Sequence, residues 1–300
     1  MAENYPDFNS VIGKGLGPRF MEYTWRDVAL YAIAVGAKKE DLTYVFERPG
    51  MKALPTFGLL PYLNSFMMQP QRKVPYAPQE LLGDLVIEAL GGKIPNRLHM
   101  GIDLVMHQPI YPYCGKFLTE DQVEKVYDWG PKGIVGQTKM DVYDIAGQPL
   151  CSIRSQHYVA AFGGFGGEPY KSNKQSFPDR EPDYVVDDHI ADNQAVLYRL
   201  LGDTYTTHID PAIGQGYGYK GPFMQGLCTA GFACRMAIQA VIPNEPERVT
   251  HYAAQMRSVT FPDTDIRLKA WKVEEGKVIF KLLGENDKVI LDNGILEYKV

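Results

Sequence analysis

Asp203 and His208 lie five residues apart, just beyond Gly202, in the stretch Leu197-Tyr-Arg-Leu-Leu-Gly-Asp-Thr-Tyr-Thr-Thr-His-Ile-Asp-Pro211. A carboxylate and an imidazole leaving one helix end together can share a single water, one of them withdrawing its proton. The same residue types also serve in loops as solvated or capping groups, so the pair takes its meaning from its surroundings. Downstream, Lys220-Gly-Pro-Phe-Met-Gln-Gly-Leu-Cys-Thr-Ala-Gly-Phe-Ala opens what reads as a long buried helix. Donors at the start of such a helix suit developing negative charge, because the helix dipole is positive there.

The elements that must position the pair follow from composition and periodicity. The chain has 300 residues, 45% hydrophobic and 22% charged, enough for a substantial core in one large or two small domains. A net charge of -5 without a Lys/Arg cluster argues against a nucleic-acid partner. No apolar run is long enough to span a membrane. No secretory leader is read at Met1-Ala-Glu-Asn-Tyr-Pro, and Tyr298-Lys-Val300 is not the peroxisomal tripeptide. Cys114, Cys151, Cys228 and Cys234 lack CxxC spacing, which predicts reduced packing residues in a cytoplasmic protein without a metal site.

Along the chain, residues 1–22 read as an irregular Gly/Pro-bearing arm. Thr24-Trp-Arg-Asp27 has the form of a capping box, opening a helix that stops at Gly36. A second apolar segment runs from Leu54 to Phe66, with Pro61 as a kink or stop. Alternation then predicts strands over 98–113, 117–128, 134–144 and 148–161. The cluster Phe162-Gly-Gly-Phe-Gly-Gly167 lacks the Lys-Ser/Thr of a phosphate loop and reads as a flexible linker. Helices over 193–201 and 222–241 follow, then strands over 248–261, 265–273, 277–283 and 289–298, with Glu275-Gly276 as a hairpin turn.

That order repeats the first half. Ala29-Leu-Tyr-Ala-Ile-Ala-Val-Gly36 aligns with Val196-Leu-Tyr-Arg-Leu-Leu-Gly202, which sets Ala37 opposite Asp203 and Leu42 opposite His208. The polar pair therefore belongs to the second copy alone. His99 and His107 fall eight residues apart on one strand, too far to share a metal, and read as ordinary strand residues.

These residues resemble the (R)-specific 2-enoyl-CoA hydratases of the MaoC-like dehydratase family, in the two-hotdog form found in multifunctional β-oxidation enzymes. The family pattern Gly-Asp-x-Asn-Pro-hydrophobic-His appears as Gly202-Asp203-Thr204-Tyr205-Thr206-Thr207-His208. The pattern His-Gly-Leu-Cys-Thr-x-Gly-Phe appears as Gln225-Gly-Leu-Cys-Thr-Ala-Gly-Phe232. In the first half, Tyr23-Thr-Trp-Arg-Asp-Val-Ala-Leu-Tyr-Ala, Leu98-His-Met-Gly, Met140-Asp-Val-Tyr and the glycine cluster extend the likeness over nearly the whole chain.

The resemblance implies an α+β double hotdog: two antiparallel sheets, each wrapped around a central helix, near Pro55–Phe66 and Pro222–Val241. It implies an N-terminal hotdog (1–165) without the catalytic pair and with an acyl-tail pocket, where Gly58 borders free space. A linker (166–182) and a catalytic C-terminal hotdog (183–300) follow. It further implies reversible hydration of trans-2-enoyl-CoA to (3R)-3-hydroxyacyl-CoA by a homodimer, with coenzyme A as part of the substrate and no separate cofactor. By position, Asp203 and His208 take the catalytic roles and the Gly226 amide holds the thioester oxygen. Tyr205, Gln225, Leu227 and Lys220 are the candidate substrate contacts, and Lys220, Arg248 and Arg257 candidates for the CoA phosphates. Tyr205, Thr206 and Gln225 depart from the family Asn, Pro and His. Which of the pair is the base stays open here. So do two alternatives: a hotdog acyl-CoA thioesterase, and a non-catalytic acyl-CoA or lipid-binding protein.

Overall fold

The computed structural model describes residues 5–62 and 78–300. The first half supplies β1 (Arg19–Thr24), β2 (Arg97–Met106), β3 (Cys114–Asp128), β4 (Ile134–Tyr143) and β5 (Pro149–Val159). The second supplies β6 (Tyr184–Ile190), β7 (Val249–Met256), β8 (Thr264–Glu274), β9 (Lys277–Leu283) and β10 (Val289–Tyr298). They form one antiparallel sheet in the order β1-β3-β4-β5-β2-β7-β10-β9-β8-β6. Read inward from either outer edge, the two five-strand sets have the same order, so the internal repeat is a structural one.

The expectation of two separate sheets is corrected at the centre. Gly101–Val105 of β2 pairs with His251–Gln255 of β7, making the sheet continuous. Each half would otherwise end there in a row of unpaired backbone groups, and joining the edges satisfies both. The outermost strands β1 and β6 carry exposed residues at alternate positions. Their weak apolar signal explains why the sequence reading missed both.

The helices are α1 (Trp25–Ala34), α2 (Leu42–Val45), α3 (Pro78–Ala89), α4 (Gln194–Arg199), α5 (Pro211–Gly216) and α6 (Gly226–Val241). The expected capping box holds α1: the Asp27 carboxylate accepts the Thr24 N–H at 2.7 Å and its hydroxyl at 2.9 Å. Gly36 ends that turn with φ +89, and a Cβ there would stand 2.3 Å from the Phe232 ring. The helix expected from Pro222 begins at Gly226 instead, and Leu227–Ile238 is buried without a break. A helix apolar all round can only lie inside. Of the expected central helix Pro55–Phe66, Pro55–Leu59 is a tight 3-10 turn, residues 60–62 are helical, and 63–66 lie outside the described residues. α3 was unforeseen, although Leu81, Leu82, Leu85 and Val86 carry its spacing; Leu82 and Val86 pack with Val123 and Ile134.

One core spans both halves, joining Tyr31, Phe57 and Phe117 to Phe232, Tyr252 and Phe280. α6 meets α1 directly. A Cβ on Gly231 would lie 2.4 Å from Val35 Cγ1. Buried Arg235 donates from Nε to the Val35 carbonyl at 2.8 Å and pairs with Asp188, which also binds Lys38 at 2.9 Å. The Gln194 amide donates to the carbonyls of Ile33 and Ala34 at 2.9 and 2.7 Å, tying α4 to the end of α1.

Three further expectations change. The glycine cluster is pinned: Asp128 accepts the amides of Gly130, Gly164 and Gly166 at 2.7–2.8 Å, and Phe165 packs on Phe8. A Cβ on Gly58 would sit 3.0 Å from Cys151 Sγ and 3.5 Å from Ile110, so Gly58 borders no free space. Cys114 is exposed, while the other three thiols are buried.

On the central seam, His251 of β7 stands between Asp103 of β2 (3.3 Å) and Glu297 of β10 (3.5 Å), with Lys277 on Glu297 at 2.8 Å. The Asp103 carboxylate, opposed by burial and helped by Glu297, raises the His251 pKa. A raised folded-state pKa gives stability that is full below the unfolded value of about 6.5 and lost as pH rises through the folded value. His251→Gln should therefore lower the melting temperature in mild acid and have little effect at pH about 8.5. Paired thermal melts of both proteins check this.

Candidate active site

The first turn of α6 is uncapped by any side chain. Its N-cap, Gln225, makes no cap bond, and its carbonyl instead accepts from Thr229 N and Oγ1 at 3.1 and 3.2 Å. The amides of Gly226 and Leu227 have no hydrogen-bond acceptor among the described residues. Donors of this kind at a helix start attract an anion or a developing oxyanion. Gln225 is buried and donates from Nε2 to the Ala195 carbonyl at 3.0 Å, fixing this turn to α4. A Cβ on Gly226 would meet Met256 and His99 at 3.6–3.7 Å, ordinary contact, unlike the close approach at Gly231.

Asp203 follows the turn that ends α4, where Gly202 has φ +126. It is buried, and its Oδ1 accepts the Tyr205 N–H at 3.3 Å. Burial raises its pKa; neighbouring His208, the Tyr205 amide and Arg199 oppose the rise. His208 ends the 3-10 turn Thr206–His208, and its Nδ1 donates to the Phe223 carbonyl at 2.8 Å. A carbonyl only accepts, so the hydrogen sits on Nδ1 and the neutral ring keeps its lone pair on Nε2. No direct hydrogen bond or ion pair joins Asp203 to His208 among the described residues, yet His208 is near enough to oppose the rise in the Asp203 pKa.

The remaining sequence candidates separate. Tyr205 is 43% exposed, its phenol raised first by burial and held back by Arg97 of the first half. Leu227 is core, so its amide rather than its side chain faces outward chemistry. Lys220 is exposed at the end of a run of rings: His208 meets Phe223, Phe223 meets Tyr219, Tyr219 meets Phe261, and Lys220 Nζ lies 4.7 Å over Phe261. Arg248 and Arg257 are engaged elsewhere, on Glu245 and Asp292.

His99, expected to be an ordinary strand residue, stands instead beside the start of α6. A register shift between His99 and Gly101, where β2 pairs with β5, re-aims the ring. Its Nδ1 thereby comes within 3.7 Å of the Cβ position of Gly226.

Two family models match this chain, a MaoC like domain over residues 173–293 and an MFE-2 hydratase 2 N-terminal domain over 21–160. The chain thus carries a MaoC like domain in its second half and an MFE-2 hydratase 2 N-terminal domain in its first. It is 28% identical to a probable enoyl-CoA hydratase 2 of Dictyostelium discoideum, over 96% of this chain and 95% of that one. It is 29% identical to mouse peroxisomal multifunctional enzyme type 2, over 97% of this chain and 38% of the enzyme. It is 28% identical to 3-hydroxyacyl-thioester dehydratase Y of Mycobacterium tuberculosis, over 96% and 97% of the two chains. Among solved structures, a MaoC-like dehydratase from Phytophthora capsici shares the fold with a TM-score of 0.81 at 24% identity, covering 98% and 99% of the two chains. A Mycobacterium tuberculosis protein described as a double hotdog matches with a TM-score of 0.58 at 13% identity, covering 100% of both chains. A large antiparallel sheet with few helices among the described residues is the frame of this chain.

The buried carboxylate gives this site a stability signature. Asp203 has a raised folded-state pKa, so its charge destabilises the fold at neutral pH, and that cost fades as pH falls towards the unfolded value of about 3.9. Asp203→Asn should raise the melting temperature at pH about 7 and raise it less at pH about 4. Melting curves at the two pH values check it. A variant destabilised at both would show that Asp203 holds structure instead.

Proposed function

We propose that this MaoC-like chain is a hydro-lyase that reversibly hydrates trans-2-enoyl-CoA thioesters to (3R)-3-hydroxyacyl-CoA. The observation that supports the reading is the uncapped start of α6 at Gly226; a desolvated Asp203 beside His208, whose Nδ1 is taken by the Phe223 carbonyl, supports it further. The names of the relatives, enoyl-CoA hydratase 2 and 3-hydroxyacyl-thioester dehydratase, point the same way.

In this reading the thioester oxygen accepts from the Gly226 amide, where the positive end of α6 lowers the energy of the enolate. Asp203 accepts one hydrogen of the water and sets its oxygen towards C3. His208 Nε2 withdraws the other proton as the C3–O bond forms and the C2=C3 electron pair moves onto the thioester. The imidazolium beside the Asp203 carboxylate then delivers that proton to C2. Dehydration is the same path reversed. His208 is thus the group that moves the proton, and Asp203 the one that orients water and steadies the charge.

The same reading assigns the first unit (1–165) to the acyl group, the second (183–300) to the chemistry, and 166–182 to their connection. Tyr205, Gln225, Leu227 and Lys220 are placed around the substrate, Gln225 and Leu227 through the α6 turn and Lys220 at the ring-lined rim. A homodimer, with no nucleic-acid or membrane partner and no separate cofactor, completes the proposal. The four unpaired cysteines suit a reducing compartment such as the cytoplasm. No helix among the described residues is long and apolar enough to cross a membrane.

Gly226 allows a sharp test, because it is the first residue of α6 and proline is well tolerated at that position. Gln225 has φ -60 and ψ 133, a conformation that a following proline accepts. Gly226→Pro should keep the fold, remove the N–H, and lower kcat by about 10²–10³. Kinetics on crotonyl-CoA with a melting curve as control check it; unchanged kcat in the folded variant would remove the amide from the mechanism. Chiral analysis of the wild-type product should give the (3R) isomer, and mainly (3S) product would contradict the assignment.

A further inference from the structure

The hydration chemistry leaves unused a connected run of polar side chains inside the first half. Tyr62 Oη lies 2.9 Å from His157 Nε2, Ser155 Oγ lies 3.0 Å from the same nitrogen, and Ser155 Oγ lies 2.9 Å from His99 Nε2. The rings are parallel: His99 stacks on His157 at 4.7 Å and 12°, and Tyr62 lies at 6.4 Å and 6° from His157. His99 and His157 are direct partners across β2 and β5, so both project from the same face of the sheet.

The protonation of one end is fixed by its partners. His99 Nε2 lies 3.1 Å from the Gly101 carbonyl, so it carries the hydrogen and leaves Nδ1 an acceptor. Neither His99 Nδ1 nor His157 Nδ1 has a hydrogen-bond partner among the described residues. His99 and His157 are half-buried, whereas Ser155 and Tyr62 beside them are buried. The pair is also uncharged at neutral pH: burial pushes His99 down to about 4, and burial together with His99 lowers His157.

The run begins at the chemistry. His99 Nδ1 lies 3.7 Å from the Cβ position of Gly226, where the thioester is held in the reading above. An acyl group extending from there into the first half passes His99, then Ser155 and His157, then Tyr62. A plain hydrocarbon laid along them would take their open nitrogens out of water without replacing the lost hydrogen bonds. Neutral imidazoles and hydroxyls instead match an uncharged oxygen, whereas a carboxylate would call for a cation.

We propose that Tyr62, His157, Ser155 and His99 form an acyl-recognition surface selecting thioesters that carry a hydroxyl or keto oxygen beyond C3. The proposal rests on the hydratase reading only for where the acyl group begins. It replaces the simple apolar pocket expected of the first half with one that reads oxygen position.

The test is calorimetric binding of unreactive saturated acyl-CoAs of one medium chain length, plain or with a single hydroxyl moved along the tail. Wild type should bind one hydroxylated member roughly tenfold or more tightly than the plain one. His157→Phe should erase or reverse that preference, and Ser155→Ala and Tyr62→Phe, which keep shape, should each reduce it. Equal binding of all members by wild type, or an unchanged preference in all folded variants, overturns the proposal. Crotonyl-CoA turnover is followed beside it. Turnover without selectivity removes the recognition surface and leaves the hydratase, while selectivity without turnover keeps the surface and removes the hydratase.

Discussion

A helix that starts without a side-chain cap leaves amide hydrogens available to an acceptor, and at α6 the fold holds that condition in place. Gly231 lets α1 press against the helix, Arg235 ties it to the Val35 carbonyl, and Gln225 spends its amide on Ala195 instead of on the first turn. In the proposed reaction the acceptor is an oxygen that gains charge, so a donor held ready at this turn favours the transition state over the ground state.

The two halves share the work by the way they are joined. β2 and β7 complete each other's edges, and that seam carries His99 of the first half to the start of the second half's helix. Asp203 and His208 stand on a turn fixed by α4 and the Phe223 carbonyl, elements of the second half alone. In the proposed function the chemistry belongs to one copy of the repeat, while the first copy, with Ala37 and Leu42 at the aligned positions, takes the acyl group.

Much of this was legible beforehand, for physical reasons that differ by element. The capping box at Thr24, the eight inner strands, the Glu275-Gly276 turn and the long apolar helix all follow from local pattern, because burial on one or both faces writes a period into the sequence. β1 and β6 escaped because half of each edge strand faces water. The joining of two sheets into one could not be read, since edge pairing depends on backbone groups that every residue carries. The position of His99 depends on a bulge, and nothing in Leu98-His-Met-Gly alone says that the ring turns inward. The tautomer of His208, left open by the residue pattern, became clear only when the Phe223 carbonyl stood 2.8 Å from Nδ1.

The central claim is that water adds to the C2=C3 bond of a thioester held at the α6 N-terminus, leaving the thioester intact. The most direct measurement follows the conjugated ultraviolet band of crotonyl-CoA together with a thiol reagent, using wild-type protein and His208→Ala. The account predicts loss of the band without free thiol in wild type, and a rate at least about 10²-fold lower in the variant. Thiol release in step with the spectral change, or tight binding with no change at all, would contradict it.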